Sequence, residues 1–482
     1  MRKPLPVASG FSVARRTRGA FERGGGRPSS RGSVLIIVMW TCLGLVALAL
    51  YFANSMSAEL RAAENRVAEV SARQAIAGGT RYAAYVLAKY AVGGVVPDME
   101  DYRSEAVAVG EGARFWFIGR NRDELPQREL NQPYFALVDE ASKLNLNTVT
   151  STILQALPLP SLTPEFADAI VAWRSATSQN AAVADSYYSQ LTPARHNKGA
   201  RYETVDELRL INGAMLDVIL GEDINRNGAL ELNEDDGEIS APRDDQNGRL
   251  LAGLLEHVTV YSSEPATSAA GSRRINVTTL NTAQTRQQLQ TRLTQRGITA
   301  QRVTQIMGRV PLNQNPIQNQ TAFASVADFM VTAQMTADEF ALVHTELTAT
   351  TATSGIATGL VNVNTAGAAV LACIPGIGSD NAATLVAYRS VHPEALTSFA
   401  WLTQVLSPAS IRQAGRYITD QSYQFSVDIA AVGNNGRGYC REKVVFDLSS
   451  GTPRIVFRQD LTPFGWALGS TVRRALSNTK DT

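Results

Sequence analysis

The stretch SVLIIVMWTCLGLVALALYFA, residues 33–53, contains no charged residue and decides how the rest of the chain is arranged. A stretch of this length is enough for a helix to cross the hydrocarbon core of a bilayer. A buried helix of a soluble protein usually keeps a polar face, which this stretch almost lacks. A cleaved secretory signal is the other alternative, but YFANSMSAEL, residues 51–60, fits the cleavage site of such a signal only loosely. The pattern therefore predicts a transmembrane helix.

Charge is distributed unequally around this stretch. Residues 1–32 carry eight Arg and Lys residues against Glu22 alone, which gives a local net charge of +7. Because the whole chain has a formal net charge of +1, residues 33–482 carry about −6. Basic flanks of membrane helices stay in the cytoplasm, so we expect a single-pass protein with its body on the far side. The basic segment is then a leader and not a nucleic-acid surface on the body.

The segment after the apolar stretch, SAELRAAENRVAEVSARQAIAGGTRYAAYVLAKY, is rich in Ala, Glu and Arg. Its apolar residues recur at roughly helical spacing. This pattern predicts that the membrane helix continues as a stalk to about Tyr90. Gly78 and Gly79 are a candidate soft point, since glycine weakens a helix.

A small residue precedes the apolar stretch, in SSRGSVLIIVMW, residues 29–40. Gly32 followed by Ser33 and an uninterrupted apolar helix resembles a type IV prepilin leader, which a prepilin peptidase cuts between these two residues. Pilins and pseudopilins begin in this way, and most carry Glu at the fifth mature position. Counted from Ser33, that position is Ile37. The long leader, with its glycines at residues 24–26, leaves open a start codon further downstream.

Two regions of the body show the alternation of apolar and polar residues that is typical of strands. The first contains GARFWFIGRNRDEL (112–125) and PYFALVDEASKLNLNT (133–148). The second contains YQFSVDIAAVGNNGRGYCREKVVFDL (423–448) and RIVFRQDL (454–461). The glycine cluster at 433–438 predicts a hairpin turn. No helix follows that cluster, so it is not interpreted as a nucleotide-binding loop.

Between these regions, one pattern occurs three times. Each copy has an extended Asn-Thr opening, a pair of short helices, an Arg and a third helix capped by Thr or Ser. The openings are LNLNT (144–148), INVTT (275–279) and VNVNT (361–365). The middle copy is degraded, with Thr278 where the other two have Asn.

These modules resemble helix-hairpin-helix units, and PGIG, residues 375–378, is the hairpin that such units use. In DNA-binding versions, the backbone amides of the hairpin contact a phosphate and Lys or Arg lies nearby. Here Asp380 follows the hairpin, the first copy has LPLPSLTPEF without glycine, and no basic run flanks either. We therefore favour helices packed for their own core over DNA binding, which stays the alternative.

The acidic loop GEDINRNGALELNEDDG, residues 221–237, is the densest run of oxygen ligands in the chain. A twelve-residue calcium loop supplies oxygens from positions 1, 3, 5, 7, 9 and 12 and turns sharply at position 6. Gly228 fills the turn position. The predicted Ca²⁺ ligands are Asp223, Asn225, Asn227, Ala229, Glu231 and Glu234. A solvated acidic loop without an ion is the alternative.

The surroundings of the acidic loop predict a structural ion and not a sensor. Seven acidic residues and one Arg lie between Glu222 and Glu238, so a cation is expected to fold the segment. A sensor needs a helix on both sides of the loop, and only the preceding side has helical sequence. We expect the loop to clamp the first module to the rest of the inserted domain. Asp244 and Asp245 are candidates to complete this site or a second one.

The leader, Ile37, VDEASKLNLNT (138–148), the Asn-Thr modules and the terminal strands together resemble type II secretion system protein K, a minor pseudopilin, over nearly the whole mature chain. The resemblance implies an α+β fold: a transmembrane and stalk helix, then a pilin-like α/β domain with an antiparallel sheet, interrupted by a large, mainly helical insertion of helix-hairpin-helix-like modules. It also implies Ca²⁺ in that insertion.

The expected domains are a leader (1–32), a transmembrane helix (33–53), a stalk helix (54–92), the pilin-like domain (93–148 and 421–482) and the insertion (149–274 with the calcium loop, then 275–420). The resemblance implies a place in the bacterial inner membrane, cleavage and methylation of the new N-terminus, and capping of the periplasmic pseudopilus. The implied partners are minor pseudopilins I and J, the major pseudopilin and prepilin peptidase. A minor pilin of a type IV pilus and a membrane-anchored DNA-uptake receptor are the alternatives.

Residues for catalysis are sparse, so we do not expect an enzyme. The four histidines, His196, His257, His344 and His392, have no metal-binding spacing, and there is no CxxC pair. Cys42 lies inside the predicted membrane helix. Cys373 and Cys440 would both face an oxidising periplasm, which permits a disulfide between them. Two separately buried thiols are the alternative.

Overall fold

The computed structural model describes residues 31–97, 106–110, 112–120, 132–176, 185–240, 243–311 and 321–478. The chain divides into two compact units, Met1–Ala63 and Glu64–Thr482. The α-helices are α1 Arg31–Tyr90, α2 Ser151–Gln155, α3 Pro164–Arg174, α4 Leu216–Ile219, α5 Leu254–His257, α6 Ala283–Gln295, α7 Ala300–Gly308, α8 Val326–Ala333, α9 Ala337–Ala341, α10 Ala368–Ala372, α11 Gly378–Val391, α12 Pro408–Ala414 and α13 Gly469–Asn478.

Short 3₁₀ helices complete the helical part: Val92–Gly94, Glu140–Ser142, Val205–Leu210, Leu232–Glu234, Val277–Thr279, His344–Glu346, Pro393–Ala395, Phe399–Gln404, Asn434–Gly436 and Thr462–Phe464. The strands are β1 Val107–Val109, β2 Ala113–Ile118, β3 Val138–Asp139, β4 Leu144–Asn145, β5 Val258–Thr259, β6 Ser263–Glu264, β7 Ile275–Asn276, β8 Leu347–Thr348, β9 Ala357–Thr358, β10 Val361–Asn362, β11 Ile418–Thr419, β12 Gln424–Val432, β13 Cys440–Asp447 and β14 Arg454–Asp460.

In the first unit, the described residues form the beginning of α1. Their large apolar side chains are exposed, from Val34 to Leu60. Within the described part of the chain, α1 is the helix that is long and apolar enough to cross a membrane. It ends at Tyr90, where the stalk pattern predicts the end of the helix.

In the second unit, the last turns of α1 pack against an antiparallel sheet. The buried side chains of this helix face are mostly small: Ala68, Ala72, Ala75, Ile76, Ala83, Val86 and Leu87. A Cβ on Gly79 would lie 3.0 Å from the side chain of Ile429 and 3.1 Å from that of Phe115. The prediction of a soft point at Gly78 and Gly79 is therefore wrong. The helix is continuous there, and the missing side chain of Gly79 lets it approach the sheet.

The sheet has the strand order β1-β2-β12-β13-β14, and β3 pairs with β12. Every pairing in it is antiparallel. β2 ends at Ile118 and its neighbour β12 begins only at Gln424, so the helical region is inserted into one sheet. The hairpin predicted at residues 433–438 joins β12 to β13, with the Gly433 amide donating to the Arg437 carbonyl at 2.8 Å.

The segment 133–148, predicted as strands, is largely irregular. It contains only β3 and β4, each of two residues, with a 3₁₀ turn between them. Asp139 ends β3 because its Oδ1 accepts a hydrogen bond from the Ala141 amide at 2.8 Å and so caps that turn. The alternating apolar residues of this segment are buried, but they do not form a long hydrogen-bonded strand.

All three repeated modules close in the same way. The strand of each opening makes a two-residue parallel ladder with a strand at the end of the same module: β4 with β5, β7 with β8, and β10 with β11. In each opening, the side chain of the first Asn accepts from the amide two residues later, at 2.9, 3.0 and 2.9 Å. The third helices have the expected N-caps, Thr204, Ser325 and Ser398.

The arginines of the modules explain how the middle copy differs. Arg389 donates to the carbonyls of Val363 and Ala366 in its own opening, at 3.1 and 2.5 Å. Arg174 binds the two corresponding carbonyls of the first module. Arg309 of the middle module reaches the carbonyl of Ala333 instead. Arg309 therefore does not make the contact with its own opening that the arginines of the other two modules make.

The buried apolar residues form separate cores. One joins the three modules and runs from Leu144 to Ile418. A second lies between α1 and the sheet, and a smaller one covers the opposite face of the sheet around Trp116 and Leu468. The α+β class, with a long N-terminal helix, an antiparallel sheet and a mainly helical insertion, is confirmed by these elements.

Candidate functional site

The acidic loop, residues 221–237, is part of an excursion that is closed at its base by main-chain contacts. Gly221 and Ala252 form an antiparallel bridge, and the Glu222 amide donates to the Leu251 carbonyl at 2.9 Å. Gly221 has φ +63°, and a Cβ there would lie 2.2 Å from the Leu251 oxygen. Glycine is therefore required where the chain enters the loop.

The first half of the loop has the turn that a calcium loop needs. The carboxylate of Asp223 accepts from the amides of Asn227 and Gly228, both at 2.9 Å. The Asn225 side chain accepts from the Asn227 amide at 3.0 Å, and the Asn227 side chain accepts from the Ala229 amide at 2.8 Å. Gly228 has φ +71°, as a sharp turn at position 6 demands.

The second half of the loop returns to the first. The Glu234 carboxylate accepts from the Ile224 amide and from the Glu231 amide, each at 3.0 Å. Glu231 accepts from the Asn227 side chain at 3.2 Å. The structure thus joins five of the predicted ligands, Asp223, Asn225, Asn227, Glu231 and Glu234, and the buried backbone of Ala229 in one turn.

This turn buries the two carboxylates of Asp223 and Glu234. Asp223 and Glu234 are 3 % and 1 % exposed. Burial, together with the charge of Asp223, raises the pKa of Glu234 to about 8. Burial also raises the pKa of Asp223, although Arg120 acts in the other direction. In the part of the chain that the structure describes, Arg120 and Arg226 form their ion pairs with Glu256 and Asp206 and not with these two carboxylates. An added cation would remove the cost of burying them.

The donor set favours calcium over a transition metal. In the described ranges, no group of three His, Cys, Asp or Glu side chains is placed to hold a metal ion. An ion in the acidic loop would need carboxylate oxygens supplemented by amide and main-chain oxygens. Such mixed oxygen shells suit Ca²⁺, whereas transition metals prefer imidazole and thiolate. The donor types present therefore suit Ca²⁺ better than a transition metal, although no three acidic side chains of the described residues converge there as a preformed site.

Asp244 and Asp245 belong to a neighbouring turn. Asp244 accepts from the amides of Asp236, Gly237 and Gln246 at 2.8–2.9 Å. Asp245 accepts from the Asn247 amide at 3.2 Å. Main-chain amides of this turn hold both carboxylates, which stay candidates to complete the site or to form a second one.

The acidic loop contacts the sheet, contrary to the expectation that it clamps the first module to the rest of the inserted domain. Arg441 of β13 donates to the carbonyls of Asn225 and Arg226, at 2.5 and 2.7 Å. The side-chain amides of Asn225 and Asn227 donate to the carbonyls of Trp466 and Ala467, both at 3.3 Å. The clamp prediction is wrong, because the loop lies on β13 and on the segment after β14, close to the end of the chain.

Sequence reasoning missed the residues that receive the loop. Arg441 is 1 % exposed, and its guanidinium also binds Asp428 of β12 at 2.5 and 2.9 Å. Arg120 donates to the Arg226 carbonyl at 3.0 Å and to Glu256 at 2.7 Å. No local signal marks Arg441: it shares a face of its strand with Lys443, and such charged residues indicate an exposed face.

The PGIG hairpin is partly buried, and its first glycine packs against a neighbouring helix. Gly376 has φ +92°, and a Cβ there would lie 2.5 Å from the Ser410 carbonyl and 2.9 Å from the Gln413 side chain. Both residues belong to α12. The hairpin therefore faces a neighbouring helix, which supports helix packing over a phosphate contact.

The cysteines and histidines form no joint site within the described residues. Cys373 and Cys440 are free thiols in different cores, so the predicted disulfide is wrong and the alternative of separately buried thiols holds. His344 lies 2.9 Å from Asp420 and is buried. His196 and His392 are exposed next to Asp185 and Glu394. His257 is half-buried beside Glu256.

The predicted processing site lies at the edge of the described residues. The backbone of Gly32 and Ser33 belongs to α1, whose side chains are described from Val34 onward. Residues 1–30, which contain nearly all of the predicted leader, lie outside the described residues. Ile37, at the fifth position after Gly32, is exposed on the helix.

Comparison with protein-family models found no match, and comparison with curated proteins found none either. Among solved structures, the chain is similar to a chain of the GspK-GspI-GspJ complex from the type 2 secretion system of enterotoxigenic Escherichia coli. The similarity covers 80% of this chain and 96% of that chain, with 10% sequence identity and a TM-score of 0.33. Because these values are low, the function below is inferred from the residues of this chain.

Proposed function

We propose that the chain is a minor pseudopilin of the type II secretion system, processed by prepilin peptidase and anchored in the bacterial inner membrane. Its role is assembly: together with minor pseudopilins I and J it caps the pseudopilus, whose growth from the major pseudopilin supports protein export. The observation that carries the proposal is α1, which is uncharged and exposed from residue 34 to 53 and buries an alanine-rich face on an antiparallel sheet further along.

An exposed apolar helix of this length needs either lipid or other helices around it. In a pilin-type assembly both are provided, first by the membrane and then by the helices of neighbouring subunits. The alanine-rich part of α1 does not need such a neighbour, because the sheet covers it. The helix therefore combines a segment for assembly with a segment that belongs to the body of the protein.

Ile37 supports a place at the tip. A Glu at this position of pilin-like proteins meets the N-terminal amine of a neighbouring subunit, and an isoleucine cannot make that ion pair. A subunit of this kind accepts partners below it but not above it. The bulk of the insertion, which fills most of the chain between β3 and β12, acts in the same direction by blocking further addition.

Calcium has a structural role in this proposal. The acidic loop offers Asp223, Asn225, Asn227, Glu231, Glu234 and the carbonyl of Ala229 to one ion, and bound Ca²⁺ supplies the positive charge that the buried carboxylates lack. The loop is framed at its base by Gly221 and Ala252. Within the described residues, the loop ends in the 3₁₀ turn Leu232–Glu234, and the next helix begins only at Leu254, so no helix pair flanks the loop directly. The ion is thus a fixed part of the folded body.

Co-purification tests the assembly role. The full chain, co-expressed with pseudopilins I and J from the same genome and extracted in detergent, should be recovered with both partners in a defined complex. A variant with Ile37→Glu is the matched test of the tip position, because it restores the carboxylate without changing the body. Longer assemblies than those of the unaltered chain would assign the end of assembly to the missing carboxylate, and an unchanged length would assign it to the bulk of the insertion. Failure of the unaltered chain to associate with either partner would contradict the proposal.

A DNA-uptake receptor is the alternative from another class. The packing of Gly376 against α12 and the net charge of about −6 on residues 33–482 both count against it. A gel-shift experiment at low salt discriminates, since clear retention of DNA by the full chain in detergent would favour the receptor.

A further inference from the structure

We infer that the acidic loop is a calcium-dependent fastener between the inserted domain and the sheet, and that Asn225, Asn227 and Arg441 carry this contact. The inference rests on the calcium role proposed above. It adds which part of the molecule the ion holds in place and which residues transmit the effect.

The two asparagines have a divided role. Their amide nitrogens donate to the carbonyls of Trp466 and Ala467, which follow β14. Their amide oxygens accept from the amides of Asn227 and Ala229, within the turn. Each side chain therefore points its oxygen at the interior of the loop because its nitrogen is held by the sheet domain. The side-chain orientation that would present an amide oxygen to Ca²⁺ also places the amide nitrogen on the carbonyls of Trp466 and Ala467.

Arg441 holds the backbone of the same turn. Its guanidinium is neutralised by Asp428 on the adjacent strand, and its remaining donors bind the carbonyls of Asn225 and Arg226. Arg226 has φ +59°, a conformation that residues other than glycine and asparagine seldom adopt. Two arginines, Arg441 and Arg120, bind its carbonyl and so maintain this conformation. Arg441 is thus a positioning residue for the loop.

These contacts predict that replacing Asn225 or Asn227 with Asp weakens the binding of Ca²⁺. In an isolated calcium loop, replacing Asn with Asp adds negative charge and ordinarily favours the ion. Here an Asp at position 225 would set a carboxylate oxygen against the carbonyl of Trp466 and lose the donor. The added charge would strengthen the binding of Ca²⁺, whereas the lost hydrogen bond to the Trp466 carbonyl would weaken it. The direction of the change in affinity therefore shows which effect is larger.

The test is the dissociation constant of Ca²⁺ for the full chain in detergent, measured by calorimetry after chelator treatment. Asn225→Asp should weaken binding at least about tenfold in spite of its extra charge. Asn233→Asp, on an exposed side chain of the same loop, is the matched control and should change affinity less than about threefold. Arg441→Lys keeps the charge beside Asp428 but loses the fork of donors, and should also weaken binding about tenfold. Equal or tighter binding by Asn225→Asp would overturn the inference.

Hydrogen exchange of the unaltered chain gives a second, independent readout. Adding Ca²⁺ should slow amide exchange in the acidic loop and also in β12, β13 and the segment around Trp466. Slower amide exchange in the loop alone would mean that Ca²⁺ binds the loop but does not attach it to the sheet, and this result would overturn the inference. Absence of any calcium binding by the unaltered chain would refute the calcium role and the fastener together.

Discussion

Gly433 lies directly against Ala68 of α1: a Cβ on the glycine would be 1.9 Å from the Ala68 carbonyl oxygen. A Cβ on Gly438, at the other end of the same hairpin turn, would be 2.3 Å from the carbonyl carbon of Ala68. The helix packs directly against the glycine-rich turn. The glycines of this turn therefore allow this close contact as well as the reversal of the chain. The junction between helix and sheet depends on the absence of these two side chains.

Gly433→Ala should destabilise the junction by roughly 1–3 kcal/mol, since an added methyl group must displace a helix backbone. The backbone at Gly433 has φ −78°, so the substitution introduces no left-handed strain and tests packing alone. Chemical denaturation of the full chain in detergent measures the effect. Gly308→Ala, where a Cβ would meet nothing within 4 Å, is the control and should be neutral or slightly stabilising.

Asp139 should make stability depend on pH. Its carboxylate accepts from the hydroxyls of Thr365 and Ser422, at 2.5 and 2.6 Å, and so joins β3 to the third module and to the end of that module. Burial raises its pKa to about 6, although these hydrogen bonds oppose the rise. The folded protein therefore holds this proton more tightly than the unfolded chain, in which an Asp has a pKa of about 3.9.

The sign of the effect follows from linkage. The contribution of Asp139 to the free energy of unfolding is fully present below about pH 4 and is lost as pH rises through about 6. The difference in pKa of about two corresponds to about 3 kcal/mol. Denaturation curves of the unaltered chain and of Asp139→Asn, in excess Ca²⁺ from pH 4 to 7, should show their stability difference shifting against the unaltered chain as pH rises. A stability difference that stays constant from pH 4 to 7 would contradict the raised pKa of Asp139.

Arg389→Met should destabilise the insertion by roughly 2–4 kcal/mol, because two buried carbonyls in the opening of the third module lose their donor. Arg309→Met in the middle module is the matched control. Arg309 is exposed and binds a carbonyl outside its own opening, so its loss should cost less than about 1 kcal/mol. Equal costs in denaturation experiments would mean that the arginines do not close the modules.

Glu234→Gln should reduce the effect of calcium on the melting temperature. Without the ion, the buried carboxylate beside Asp223 is costly, so the neutral side chain should raise the melting temperature in chelator. With the ion, the variant loses a charged ligand and should gain less stability from Ca²⁺ than the unaltered chain. Melting curves in chelator and in excess Ca²⁺ test both halves. An unaltered chain whose midpoint is the same in both conditions would remove the structural calcium role.

Local features of the sequence were sufficient to predict part of this molecule. The end of α1 near Tyr90, the caps Thr204, Ser325 and Ser398, and the turn at Gly228 depend on residues within a few positions of one another. Each follows from a propensity or a spacing that acts over one or two turns of chain.

Features that depend on distant contacts could not be predicted in this way. Helix propensity predicts a soft point at Gly79, whereas the structure places this residue against Phe115 and Ile429. The sequence predicts that the acidic loop contacts the rest of the insertion, whereas its partner Arg441 lies far along the chain from Asn225, on a strand near the C-terminal end. Cys373 and Cys440 were a candidate pair because both are periplasmic in the prediction, but nothing in the sequence shows that they belong to different cores.

The N-terminal sequence of the mature protein tests the central claim most directly. The full chain should be expressed with a prepilin peptidase, purified from membranes and analysed by Edman sequencing and mass spectrometry of its first peptide. The proposal predicts that the mature chain begins at Ser33, with the apolar helix retained and the new N-terminus methylated. A chain that begins at any other residue, or that keeps residues 1–32, would contradict the assignment as a pseudopilin.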